Sequence, residues 1–283
     1  MTQTKQQQAL EKITAFGGLQ CPVCKLPLSV HESGLRCDNS HTYDIARKGY
    51  VHLHHKTVQS EYDRALFDAR RIILESGFYD PVRKALQDVL RSLNPHTVLD
   101  AGCGEGYYTH TLAADIPDCL FIGVDLSKDA VVSAAGRSAL ALYCVGDLNN
   151  LPFQDSTFDA ILNILSPASY TSFERVLKKQ GRLIKMMPGR EYLQEIRERL
   201  PNAKSEYDDT KVPDYLKEHM HVESMDRIRY TVALTPTLYH HFLSMTPMTQ
   251  RMPIIDRTAL EANIPDEITI DFKLAVCQSK ARV

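Results

Sequence analysis

The sequence predicts an α/β protein in which an open, mostly parallel sheet carries crossover helices, preceded by a small metal-binding module. From Thr97 onward, short apolar runs alternate with helical stretches, the pattern of βαβ units. The first of those runs enters a turn holding Gly102, Gly104 and Gly106. Ahead of it, Cys21, Cys24 and Cys37 crowd together with His41.

The chain opens on a polar stretch, residues 3–8, and residues 1–18 read as a mobile or weakly helical arm. Residues 19–55 are short-strand and turn material with closely spaced Cys, Pro, Gly and His, too little to bury a core alone. Residues 56–96 form a helical linker: Tyr62, Leu66, Ala69, Ile72 and Ile73, then Val82, Leu86, Val89 and Leu90, fall at helical spacing, and Gly77 and Pro81 separate two helices. Residues 97–283 hold the sheet. Its strands are expected at 97–101, 120–125, 141–145, 158–165 and 182–187, with helices at 107–114, 128–138, 172–178 and 191–200. Residues 201–218 are polar enough for a loop or flexible helix, and 226–234 and 268–276 alternate as two further strands.

The chain has 283 residues, with 33 Lys and Arg against 35 Asp and Glu, so no whole-molecule field draws it to a polyanion. The first 96 residues carry a surplus of three positive charges, so the charge is mildly polarised toward the N-terminal third. No stretch approaches the ~18 apolar residues of a membrane span, and no apolar leader precedes residue 10. A cytoplasmic protein with no membrane partner is the expectation. Seven cysteines, three of them clustered, point to metal rather than to a disulfide framework.

The cluster reads C-x2-C-x12-C-x3-H over Cys21, Cys24, Cys37 and His41. Two close pairs of soft or borderline ligands, joined by a hairpin, suit tetrahedral zinc, and four ligands leave no open position, so the site is structural. His31 is a nearby alternative for the fourth ligand, and the spacing favours His41. A redox dithiol would sit at a helix start in a βαβ context, which this segment lacks. His52, His54 and His55 lack a carboxylate or cysteine at ligand spacing and read as strand-edge histidines.

In the glycine turn, D-x-G-x-G-x-G from Asp100 to Gly106 permits positive φ and close approach of a ligand. Glu105 in that loop would repel the pyrophosphate of a dinucleotide. The next strand ends in Asp125, 23 residues after Gly102, where a carboxylate grips a ribose diol. The combination resembles the class I (Rossmann-like) S-adenosylmethionine-dependent methyltransferase domain. That resemblance implies an adenine contact at Asp147, after the third strand, although a turn cap is the alternative for this residue. It also implies that the turn of Asn163 to Pro167 lies beside the methyl group. The Asn/Asp-Pro-Pro-aromatic motif of exocyclic-amine methyltransferases is absent there.

Beyond the loop, the chain resembles the RlmA family, zinc-containing 23S ribosomal RNA (guanine-N1)-methyltransferases. The matching elements are the CPxC of Cys21, the run HTYDIARKGYV from His41, Ala69 to Arg71, Gly77 to Tyr79, GCGEGYYTH from Gly102 and Leu151 to Phe153. The resemblance implies zinc on Cys21, Cys24, Cys37 and His41, and S-adenosylmethionine contacts from Tyr79, Gly104, Glu105 and Tyr192. Relatives often carry a histidine where this chain has Tyr192. It implies a guanine in the helix 35 hairpin as substrate, a zinc-ribbon RNA-recognition module at 19–55, and a possible homodimer. Arg47, Lys48, Tyr50, Arg70 and Arg71 are expected to meet RNA by phosphate contact and stacking. No general base is identified. A small-molecule methyltransferase with a structural zinc, or an inactive zinc-ribbon RNA-binding protein, are the competing readings; the first predicts a closed apolar pocket.

Overall fold

The computed structural model describes residues 3–54, 64–200, 208–246, 249 and 254–280. His55 and Tyr62 lie outside the described residues. The chain opens with helix α1, Lys5–Phe16, where a mobile or weakly helical arm was expected. Thr4 and Gln7 form a reciprocal capping box, and Gly17 closes the helix at φ 61°. Ala9 and Ile13, one turn apart, are buried against the rest of the protein. Strands β1 (Ser29–His31), β2 (Gly34–Arg36) and β3 (Thr42–Asp44) make a small antiparallel sheet.

Strand β4 (Tyr50–His52) leaves that small sheet and pairs in parallel with β7 (Leu142–Val145) of the main sheet. Helices α2 (Arg64–Glu75) and α3 (Asp80–Leu93) follow, with Pro81 in the first turn of α3 and Asn94 closing it at φ 46°. The alternating part then runs β5 (Thr97–Ala101), α4 (Tyr107–Asp115), β6 (Leu120–Asp125), α5 (Lys128–Arg137), β7, β8 (Phe158–Ile164), α6 (Tyr170–Val176) and β9 (Leu177–Pro188). It ends with α7 (Gln194–Arg197), α8 (Lys211–His219), β10 (Met220–Ala233), α9 (Pro236–Met245), α10 (Ile254–Ala262) and β11 (Glu267–Ser279).

The eight strands are ordered β10-β11-β9-β8-β5-β6-β7-β4. The six from β9 to β4 are parallel, and β11 inserts antiparallel between β9 and β10. Buried side chains alternate between the two faces. Val98 and Ile184 join one core with α3, α4 and α9, while Leu99 and Leu183 join the other with α1 and α6. The second core also holds Leu19, Cys21, Leu28, Leu35, Cys37 and Tyr43. The metal-binding module, too small for a core of its own, thus uses the apolar face of the main sheet.

The central strands and α4 and α5 fall within a residue or so of expectation. Several other elements differ. The expected helix over 191–200 shrinks to α7, because Asp271 accepts from the Glu191 N–H at 2.9 Å and Glu195 accepts from Thr269, tying the segment to β11. Strand β9 begins at Leu177, so α6 ends at Val176. Strand β10 begins six residues before the expected start, at Met220, because β11 offers it a partner along its length.

Candidate functional site

The metal cluster forms as its spacing requires. Ligand atoms of Cys21, Cys24, Cys37 and His41 all lie within 4.8 Å of one another. Cys24 and Cys37 sulfurs are 3.6 Å apart, and His41 Nδ1 lies 3.5 Å from Cys21 and 3.4 Å from Cys37. Zinc–sulfur bonds of about 2.3 Å arranged tetrahedrally need sulfur atoms about 3.8 Å apart, so these donors fit zinc. His31, on β1, is not among the clustered donors. Burial alone would raise the Cys21 thiol, but the Tyr43 hydroxyl, 3.3 Å away, and the backbone N–H groups of Cys24 and Val23 bring it down to about 6. That favours the thiolate a metal binds.

A cavity of about 600 Å³ opens at the carboxyl ends of β5, β6, β8 and β9, where ligands of open α/β sheets bind. Gly102, Gly104 and Asp125 form one wall, and Tyr79, Tyr108 and Tyr192 supply aromatic faces. Gly102 has φ 84°, and a Cβ there would stand 2.0 Å from Ser166 Oγ, so the turn after β8 closes directly on the loop. Asp125 accepts from the N–H of Gly104 at 2.9 Å and of Ser127 at 2.8 Å. Burial pushes its carboxyl up, opposed by those N–H groups. The hydroxyls of Tyr79 and Tyr192 are 3.3 Å apart, and both rings pack on Phe272.

Glu105 is almost wholly buried; its Oε1 lies 3.3 Å from Arg70 Nε, while its Oε2 is buried with no hydrogen-bond partner. A guanidinium complements the α-carboxylate of an amino acid. Arg70, in the cavity wall, therefore fits the carboxylate of the methionyl half of S-adenosylmethionine, while Glu105 holds Arg70 without itself joining the lining. Asp125, at the end of β6, fits the ribose of the same cofactor.

Other expected residues sit elsewhere. Asp100 is buried beneath the loop, accepts from Thr109 Oγ1 at 2.5 Å, and is pushed up to about 7 by burial. Asp147 accepts from the Asn149 N–H at 2.9 Å and so caps a short helical turn, the alternative noted for it; it is not part of the cavity wall. The residues expected to meet RNA do not form one surface. Arg70 lines the cavity, and Arg71 lies on the outer side of α2, 3.5 Å from Asp68. Arg47 and Lys48 are exposed and precede the parallel strand β4 that Tyr50 begins. They therefore lie at the opposite edge of the sheet from its carboxyl ends.

Ser166 and Pro167, in the turn expected beside the methyl group, are in the cavity wall; sequence reasoning missed Leu66 and Phe67 on α2 and Lys185 on β9, which are there too. Lys185 had a signal: a single cation inside the apolar run Leu183 to Met187. His54 lies just past β4 with a buried, unpartnered Nε2, and His52 is exposed.

The parallel sheet, the glycine loop and Asp125 define a class I S-adenosylmethionine-dependent methyltransferase, and a methyltransferase-domain model matches residues 94–233. A model of the RlmA N-terminal zinc ribbon matches residues 19–57. A Bacillus subtilis (strain 168) protein provisionally named 23S rRNA (guanine-N(1)-)-methyltransferase YxjB is 32% identical over 280 residues, covering 94% of this chain and 99% of the relative. The 23S rRNA (guanine(748)-N(1))-methyltransferase of Streptomyces fradiae is 28% identical, covering 92% of this chain and 96% of the relative. This chain belongs to the RlmA family of zinc-ribbon methyltransferases. Among the described residues, no helix is long and apolar enough to cross a membrane.

Proposed function

We propose that this protein methylates N1 of a guanine in the helix 35 hairpin of 23S ribosomal RNA. The observation that carries the reading is that relatives named for guanine-N1 methylation of this RNA align over nine-tenths of the chain, together with the zinc-ribbon match over residues 19–57. S-adenosylmethionine, when bound, supplies an electrophilic methyl on sulfur.

The chain's own contribution is positioning. Arg70, held by its ion pair with Glu105, meets the carboxylate of the methionyl group, and Asp125 accepts from the ribose hydroxyls. Leu66, Phe67 and Leu74 of α2 wall the cavity and keep water from the reacting atoms. The hairpin loop is unpaired, so its guanine is extruded at a modest unstacking cost. In this reading the base enters the cavity beside the turn after β8, whose Leu165, Ser166 and Pro167 line it. The zinc module of residues 19–55 braces one face of the sheet and, in this reading, contributes to RNA recognition. Action on ribosomal RNA places the protein in the cytoplasm, and a homodimer is the expected assembly, to be checked by light scattering.

N1 methylation blocks Watson–Crick pairing, so reverse transcription across helix 35 tests the proposal. RNA from cells lacking the gene should lose a stop that RNA from parent cells shows. An unchanged pattern refutes the RNA assignment.

A further inference from the structure

Lys185 is 4% exposed on β9, where it pairs with Asn163 of β8 on one side and Ala275 of β11 on the other. Lysine is rarely buried without a counter-ion. Among the described residues no carboxylate lies within ion-pair distance of its Nζ. Instead Nζ donates to Asn163 Oδ1 and, at 2.7 Å, to the Ser166 carbonyl. The Asn163 amide is itself fixed, its Nδ2 donating to the carbonyls of Ala101 at 2.8 Å and Pro167 at 3.1 Å. Two acceptors match the two N–H bonds of a neutral amine, which keeps one lone pair. An ammonium would have a third N–H to satisfy.

Lys185 also forms part of the cavity wall, and its Nζ is bonded to the turn that closes over the glycine loop. Burial lowers its amine from the ordinary 10.5 to about 8. The groups packed around it are Asn163 from β8, the Ser166 carbonyl from the turn and Ala275 from β11, none of them charged. The other titratable groups of the cavity are Arg70, Tyr79, Tyr108, Asp125, Tyr192 and Arg197. A sulfonium in the same cavity opposes a second positive charge, favouring the neutral amine further.

We propose that the neutral Nζ of Lys185 is the general base that accepts the N1 proton of the target guanine. The inference rests on the guanine-N1 reading above. As the N1–H bond breaks, its electron pair forms the N1–CH3 bond. The methyl–sulfur bond breaks with its electrons left on sulfur, giving a neutral thioether, and the proton leaves on Lys185 as an ammonium that water then discharges. No further reactant is needed.

The test uses the whole protein with unmodified 23S RNA and tritiated cofactor in single turnover, with products mapped by reverse transcription. The parent rate, measured with the cofactor bound, should rise tenfold per pH unit and level off at or below about pH 8. Lys185→Met should lose at least ~100-fold at pH 7 while cofactor affinity by calorimetry stays within about threefold. Lys185→Arg, a permanent cation that keeps the donor role, should fail to restore the rate. A carbon-13 titration of the Lys185 ε-methylene in cofactor-free protein should show a midpoint near 8. A midpoint near 10.5, a fast Lys185→Met, or rescue by arginine would overturn the base assignment and leave the guanine reading standing. Absence of any N1 product with the parent protein would overturn the guanine reading itself.

Discussion

Replacing Gly102 by alanine tests the cofactor loop most directly. Gly102 has φ 84°, and an added Cβ would meet Ser166 Oγ at 2.0 Å and Ser166 Cβ at 2.7 Å. The left-handed conformation costs an L-residue about 1–2 kcal/mol. Relieving the contact to an ordinary ~3.4 Å requires Ser166 to retreat by about 1.4 Å, and overpacking of that kind costs about 1–3 kcal/mol. Ser166 cannot retreat freely, because its carbonyl accepts from Lys185 Nζ. We expect Gly102→Ala to lose about 2–5 kcal/mol of stability and at least ~10-fold in S-adenosylmethionine affinity, read by denaturant unfolding and calorimetry. The double variant with Ser166→Gly removes the steric part and leaves the φ part, so it should recover about half of the stability loss. Parent-like affinity and stability in Gly102→Ala would refute the reasoning.

Asp125→Ala removes the acceptor for two backbone N–H groups and for the ribose, so calorimetry should show cofactor binding weakened by about 1.5–3 kcal/mol or more; unchanged binding rules out that role. Cys24→Ser removes one of the four metal ligands and should lower the zinc content below that of the parent and loosen the first 54 residues, whereas equal zinc in both proteins removes Cys24 from the ligand set. Asp100 gives a pH dependence with a defined sign. Its carboxyl is held near 7 in the fold against an ordinary 3.8, so the folded state retains a proton that the unfolded chain releases between those values. Stability from this group therefore falls as pH rises from about 4 to about 7, by at most roughly 4 kcal/mol. Asp100→Asn should flatten that part of the denaturant-midpoint profile, and an identical profile in variant and parent would contradict the burial argument.

Local chemistry made much of this protein readable from its residues. Strands buried on both faces read as continuous apolar runs, which is why β5 to β8 were visible in advance. The metal set was visible because its spacing is itself the geometry: two turns each hold two ligands, and the hairpin between them closes the tetrahedron. Gly102, Gly104 and Asp125 were legible because turn and strand end lie on neighbouring parallel strands.

What depended on contacts between distant segments was not legible. Arg70, which reads in the sequence as an RNA-facing helix residue, meets Glu105 only because α2 folds across the glycine loop. Arg47 and Lys48 fall at the far edge of the sheet because β4 joins β7 in parallel, a pairing that three residues of sequence cannot announce. The zinc module shares the core of the sheet because it has too few apolar residues to close one alone. Lys185 becomes a buried amine with two acceptors only when β8 and β9 pair in register and Asn163 is held by Ala101 and Pro167. Sequence alone determined the element types, the metal ligands and the cofactor loop, since each is encoded within a few consecutive residues or one strand-turn-helix unit. Tertiary structure decided which side chains share the cavity, because burial and charge pairing arise between residues that the chain keeps far apart until it folds.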